Sequence, residues 1–152
     1  MFSKEEIVAR YHIWVHTYNT TLEIEAQTLN EMVNASVVPF GYEYEKLLAN
    51  NLNGLISLSK QSVKIDKIAL EDQKKHLADV VQKIYYVRRN LHEMTALLDR
   101  AKEVGHEKRA KMYFEELKPL MEHIRRHVDA LECVVSDEQW DLQKYREMLF
   151  IK

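Results

Sequence analysis

Seven histidines are the first residues in this chain whose chemistry invites a test. His12 with His16, and His123 with His127, stand four apart, the spacing that lets two imidazoles on one helix face reach a single metal ion. Neither pair belongs to a His-Glu-x-x-His pattern, and neither has a third ligand fixed in sequence. Both therefore read as surface or partly buried histidines. A diiron centre in a ferritin-like bundle needs Glu-x-x-His on each of two helices. The chain offers that once, at Glu103 and His106, with Gly105 breaking the helix between them, and the reading fails. Arg88-Arg89, Arg125-Arg126 and the basic residues from Lys102 to Lys111 could gather an anion or a nucleic acid. Glu103, Glu107, Glu115 and Glu116 dilute the last group, and a solvated charged face is the expectation. Cys133 has no His or Asp partner fixed in sequence and reads as a small buried apolar residue. The sequence shows no Gly-rich phosphate loop and no strand-borne carboxylate cluster. On these residues the expectation is no catalytic, cofactor-binding or metal-binding site.

The elements that would position such residues are all helical. The longest stretch runs from Asp66 to Val104. Its apolar residues are Leu70, Leu77, Val80, Ile84, Val87, Leu91, Met94, Leu98 and Ala101, and from Leu77 onward their steps alternate three and four. Gln73 is the one polar residue on that stripe. At 1.5 Å per residue the helix would be roughly 58 Å long, and the other segments should pack beside it. Gly105 stands where a glycine ends a helix.

Before it, Ser3 and Glu6 form a capping box opening a first helix on Ile7, Tyr11, Trp14, Tyr18, Leu22, Leu29 and Met32, with Ile24 and Ala26 expected to widen that face. Pro39 is expected to break or kink it. A second helix follows on Phe40, Tyr44, Leu47, Leu48, Leu52, Leu55 and Ile56, with Gly54 either loosening it or admitting a neighbour. After Gly105 a fourth helix carries Ala110, Tyr113, Leu117, Leu120, Ile124, Val128 and Leu131, and Pro119 should kink it without stopping it. Ser136 and Gln139 make a second capping box for a short terminal segment with Trp140, Leu142, Tyr145, Leu149 and Phe150, expected to fold back onto the bundle.

The fold class expected is all-α: an antiparallel bundle of about four long helices with a short C-terminal helical tail. The helices should span about 4–37, 39–59, 66–104 and 106–135, with the tail at 136–150, in one domain over 1–152. Composition agrees. The 152 residues are 46% hydrophobic, with three Gly and two Pro, enough for a core and too few for hairpins. Lys and Arg number 22 against 24 Asp and Glu, for a net charge of −2, which argues against a dedicated nucleic-acid binder. One cysteine rules out an internal disulfide and fits a reducing compartment. No apolar run reaches membrane-spanning length, and Met1 to Glu6 is unlike a signal peptide.

Two blocks of residues carry a likeness. The first is Ala9-Arg10-Tyr11, Ile24-Glu25-Ala26, Val38-Pro39, Tyr44, Leu47, Asn51 and Gly54-Leu55. The second is Lys118-Pro119, Ile124-Arg125, His127, Asp129, Leu131-Glu132, Val135, Asp137-Glu138, Trp140, Leu142 and Lys144 to Phe150. Together they resemble the C-terminal helical region of type III glutamine synthetase, over about residues 2–59 and 106–152. One departure is that Asp141 and Gln143 flank Leu142 where the family often has proline.

The resemblance implies a C-terminal fragment of a longer, bacterial-type, cytoplasmic enzyme of nitrogen metabolism. That enzyme is a glutamate–ammonia ligase using ATP and Mg2+ or Mn2+, with its catalytic machinery upstream. It implies partners in the catalytic domain of the same chain and in neighbouring subunits of a dodecamer, and no nucleic acid or membrane. The fragment itself would be an inactive structural and interaction domain. Two other readings compete with it: a stand-alone helical adaptor or protein-interaction bundle, and a metal-binding four-helix bundle.

Overall fold

The structure is a computed structural model that describes residues 2–61, 64–136, 140 and 142. Among these every regular element is a helix. Helix α1 is Lys4–Met32, and a π-helical turn at Val33–Val37 leads directly into α2, Val38–Lys60. Helix α3 is Lys67–Lys102. After a three-residue turn come α4, His106–Met112, a second π-helical turn at Tyr113–Leu117, and α5, Lys118–Glu132. There are thus three uninterrupted helical stretches among the described residues, where the sequence suggested four helices and a tail.

The difference comes from Pro39. Proline has no amide to donate, and its ring crowds the carbonyl four residues back. That carbonyl belongs to Ala35, inside the π turn, where bonds run to the fifth residue and the backbone is widened. The helix therefore passes through Pro39 without ending. The same device recurs at Pro119, two residues after its π turn, as Pro39 is after the first. There the Lys118 amide bonds the Tyr113 carbonyl, five residues back. In both turns the first and last residues are buried: Val33 and Val37, Tyr113 and Leu117.

The ends of the helices follow the sequence more closely at some places than others. The Ser3 amide donates to Glu6 Oε2 at 2.8 Å and the Glu6 amide to Ser3 Oγ at 3.2 Å, so the first capping box forms. Asp66 starts α3, its Oδ1 accepting the Ile68 amide at 2.9 Å. Gly105 does not close α3 in a left-handed conformation; with φ −64° and ψ 158° it is extended and stands before α4. Of the second capping box, Gln139 lies outside the described residues, as do residues 143–150 of the expected tail.

The chain divides into two compact units. Unit 1 holds residues 1–32 and 89–125, which are α1, the end of α3, α4, the second π turn and the start of α5. Its buried residues include Leu22, Ala26, Leu91, Met94, Leu97, Ala101, Tyr113, Leu117 and Ile124. Unit 2 holds 33–88 and 126–152 and buries Val33, Val37, Val38, Val80, Ile84, Val87, Leu131, Val135 and Trp140. The long-helix stripe holds from Val80 to Ala101 with one shift: Leu97 is buried and Leu98 half-buried.

Within unit 2 the close approach is made by Gly41, not Gly54. A Cβ on Gly41 would stand 2.9 Å from Ile84 Cγ1, whereas nothing lies within 4 Å of one on Gly54. The Trp140 ring is buried 5.8 Å from the ring of Phe40. That one tail residue is therefore held against α2.

Candidate functional site

The densest polar cluster described lies in unit 1, where α1 passes the turn between α3 and α4. The last carbonyls of a helix have no partner within it. Here a side chain from the next helix supplies the donors: Arg109 Nε donates to the Ala101 carbonyl at 2.8 Å, and Nη2 to those of Lys102 and Val104 at 3.2 and 3.4 Å. The guanidinium's remaining end, Nη1, reaches Glu23 Oε1 on α1 at 3.3 Å. The same carboxylate oxygen accepts the Tyr113 hydroxyl at 2.8 Å. One level along α1, the buried Asn19 donates from Nδ2 to the His106 carbonyl at 2.9 Å. One carboxylate, one guanidinium, one phenol and one amide thus fasten three helices at a single point.

The chemistry open to this cluster is narrow. Burial, and then the Glu23 carboxylate beside it, push the Tyr113 hydroxyl well above the ordinary phenol range. At neutral pH it is a fixed donor and no proton acceptor. The Arg109 guanidinium donates to three backbone carbonyls and to Glu23. No nucleophile stands beside a base here. The arrangement is a structural joint.

The residues singled out in the sequence are not assembled around it. His12 and His16 are exposed, and His16 lies 5.6 Å, ring to ring, from His106. His123 is exposed, while His127 is stacked on Tyr86 at 5.3 Å and 18°. Among the described residues no three His, Cys, Asp or Glu side chains gather as a metal would require. The donor set described does not fit divalent metals of the kind the resemblance places upstream of this chain.

Arg88 donates to the Tyr42 hydroxyl at 2.7 Å and Arg89 pairs with Glu93 at 2.9 Å, so both bind protein groups. Cys133 is exposed, contrary to the buried position expected. Arg109, expected on a solvated basic face, is turned inward instead. Two grooves lie among the described residues. One of about 500 Å³ in unit 1 is flanked by the Arg100–Glu116 ion pair and His123. One of about 190 Å³ in unit 2 has Tyr44 and His76 in hydrogen-bond contact at 3.2 Å. Neither adds a nucleophile to a base.

Sequence reasoning missed the joint. The available signals were Asn19 in phase with Leu22 and Ala26 on a core face, and a tyrosine on the fourth-helix stripe whose hydroxyl needs a partner when buried.

The described residues form an all-helical module whose polar cluster fastens helices. No described helix is long and apolar enough to cross a membrane. Comparison with known proteins finds likenesses to one family. Residues 1–55 match the model of the glutamine synthetase C-terminal domain. The chain is 27% identical over its whole length to a glutamine synthetase of Bacteroides fragilis, and 26% identical over its whole length to a type-3 glutamine synthetase of Dictyostelium discoideum. A glutamine synthetase of Butyrivibrio fibrisolvens is 23% identical over 99% of the chain. The match at residues 1–55 is thus continued, as a likeness to the type-3 enzyme, through the rest of the chain. It includes the middle of the chain, which the two blocks of the sequence reading left out. The chain spans about a fifth (21%, 20% and 21%) of the length of the curated relatives it matches.

Proposed function

We propose that this chain is the C-terminal structural and interaction domain of a longer type III glutamine synthetase. In that enzyme an upstream catalytic portion joins ammonia to glutamate with ATP and divalent metal ions. The domain's own work is to extend the subunit and support contacts with the catalytic portion and with neighbouring subunits of a ring-shaped homo-oligomer in the cytoplasm. The observation that carries this reading is the whole-length likeness to a fifth of an enzyme of that name. The Glu23–Arg109–Tyr113 joint supports it, being suited to holding helices in place.

The test compares the 152-residue chain with the full product of its gene. ATP- and ammonia-dependent glutamine formation is expected from the full product alone. The chain by itself should show neither that activity nor a nucleotide-dependent rise in melting temperature. Glutamine made by the chain alone would overturn its structural role, and a full product that makes none would overturn the parent enzyme. Sedimentation of the full product with and without this domain tests the assembly role, which falls if particle size is unchanged.

A further inference from the structure

The first half of α1 presents an apolar face to solvent. Every described residue from 2 to 14 is exposed. They include Ile7 at 57%, Val8 at 46%, Tyr11 at 48% and Trp14 at 69% of their full exposure. These are not scattered. Ile7, Tyr11 and Trp14 step by four and three into Tyr18, Leu22 and Ala26, so they prolong the face that is covered farther along the helix. Cover begins near His16 and Asn19, level with the start of α4. Before that level the core-phase face runs on for about three turns, bare and aromatic.

We propose that this face, centred on Ile7, Tyr11 and Trp14, is the seat of the polypeptide that precedes this domain in the full-length synthetase, and that it receives an apolar surface of that portion. The proposal rests on the reading of the chain as the C-terminal domain of a longer enzyme. Two arguments select that occupant. The matching family is a C-terminal domain, and the relatives are about five times as long as the region matched. In a protein of that build the preceding chain enters beside Phe2, little more than a turn from Ile7. A tethered neighbour meets the face at millimolar effective concentration.

The second argument is area. Aromatic side chains bring about 150–250 Å² each, so with Ile7 and Val8 the face offers roughly 500 Å². Free partners usually need about 800 Å² apiece. That is too little to hold a separate copy of the chain and sufficient for a neighbour on the same polypeptide.

The experiment places Tyr11→Asp with Trp14→Asp in both the 152-residue chain and the full-length protein, beside the off-face control Ile24→Asp, a residue 58% exposed. The double variant should melt within about 2 °C of wild type in the short chain, because nothing there covers the face. In the full-length protein it should melt at least about 5 °C lower, and Ile24→Asp should not. Full-length protein that makes glutamine yet melts alike with and without the double change overturns the seat and leaves the enzyme reading intact. Full-length protein that makes no glutamine overturns the enzyme reading itself. A short wild-type chain that sediments as a dimer, dispersed by the double change, gives the face to a second copy and overturns the proposal. Equal damage from Ile24→Asp overturns it too, since the face would then be no different from the rest of the helix.

Discussion

In unit 1 the helices meet through Arg109, Glu23, Tyr113 and Asn19, whereas in unit 2 α2 meets α3 where Gly41 lets Ile84 come close. Both contain a π turn followed at the same distance by a proline, so the backbone problem each solves is alike. What differs is how direction is fixed. A carboxylate shared between a guanidinium and a phenol tolerates one geometry, and losing one partner strands the others away from water. A glycine against an isoleucine is a matter of volume, and volume lost on one side can be restored on the other. Unit 1 should therefore respond to which polar partner is removed, and unit 2 to the volume that is changed.

The largest effect is expected in unit 2. Ile84 is 3% exposed and stands on the long-helix stripe, so Ile84→Ala should cost roughly 2–5 kcal/mol through the cavity left behind. Lys83, off the stripe and half-buried where it pairs with Asp79, should lose no more than about 0.5 kcal/mol on change to Ala. Chemical denaturation measures both. Equal losses at the two positions would mean that the stripe is misplaced.

Next comes the polar joint. Arg109→Ala takes the guanidinium from the Ala101, Lys102 and Val104 carbonyls, leaving Ala101 the Val104 amide at 3.5 Å and Glu23 the Tyr113 hydroxyl. Arg109 and Glu23 side chains are 18% and 30% exposed, so water softens the loss, and about 2–3 kcal/mol is expected. Adding Glu23→Gln to Arg109→Ala should recover part of it, because no uncompensated charge remains. A double variant as unstable as the sum of the singles would show that Arg109 acts only as a cap and not as the partner of Glu23.

How much of this was legible in the sequence depends on what each residue answers to. The stripe from Val80 to Ala101 was legible because a period of three and four is set by the helix itself. So were the Ser3–Glu6 cap and the buried Tyr113, Leu117 and Ile124. The face of α1 was read correctly as apolar and wrongly as core at Ile7, Tyr11 and Trp14, since periodicity gives the face and not what lies against it. Pro39 hid the longest helical stretch because a π turn carries no residue signature. Gly105 looked like a helix end, but Arg109, four residues on, supplies the cap instead. That joint depends on Glu23 from a distant part of the chain, which no local pattern reveals.

Gly41→Ala tests the volume half of the comparison. An alanine favours a helix interior by about 0.8–1 kcal/mol over glycine. Its Cβ would sit 2.9 Å from Ile84 Cγ1 and 3.1 Å from Cδ1. The β-branched Ile84 has little rotamer freedom in a helix, so it cannot swing clear, and overpacking should win with a net loss of about 1–2 kcal/mol. Combined with Ile84→Val, which removes Cδ1, the alanine should cost less than it does alone. A cost that is the same in both backgrounds would place the strain elsewhere.

The smallest expected effect is the most specific to unit 1. Tyr113→Phe removes one hydroxyl from Glu23 and should cost about 1 kcal/mol near neutral pH, a typical net value for a hydrogen bond. Its pH dependence carries the sharper test. The folded-state pKa of Tyr113 is raised above the unfolded value of about 10 by burial and by Glu23. A group whose pKa is raised on folding contributes its full stability below the unfolded value and loses it as pH climbs toward the folded one. Unfolding then releases a proton that the folded protein keeps. Melting temperature of the wild type should accordingly fall as pH passes about 10. Other groups titrate in that range as well, so the comparison is with Tyr113→Phe, whose decline should be shallower. The gap between the two proteins should narrow from pH 9 upward. Parallel curves would mean that the hydroxyl ionises as easily in the folded protein as in the unfolded chain, and the joint would then be open to water.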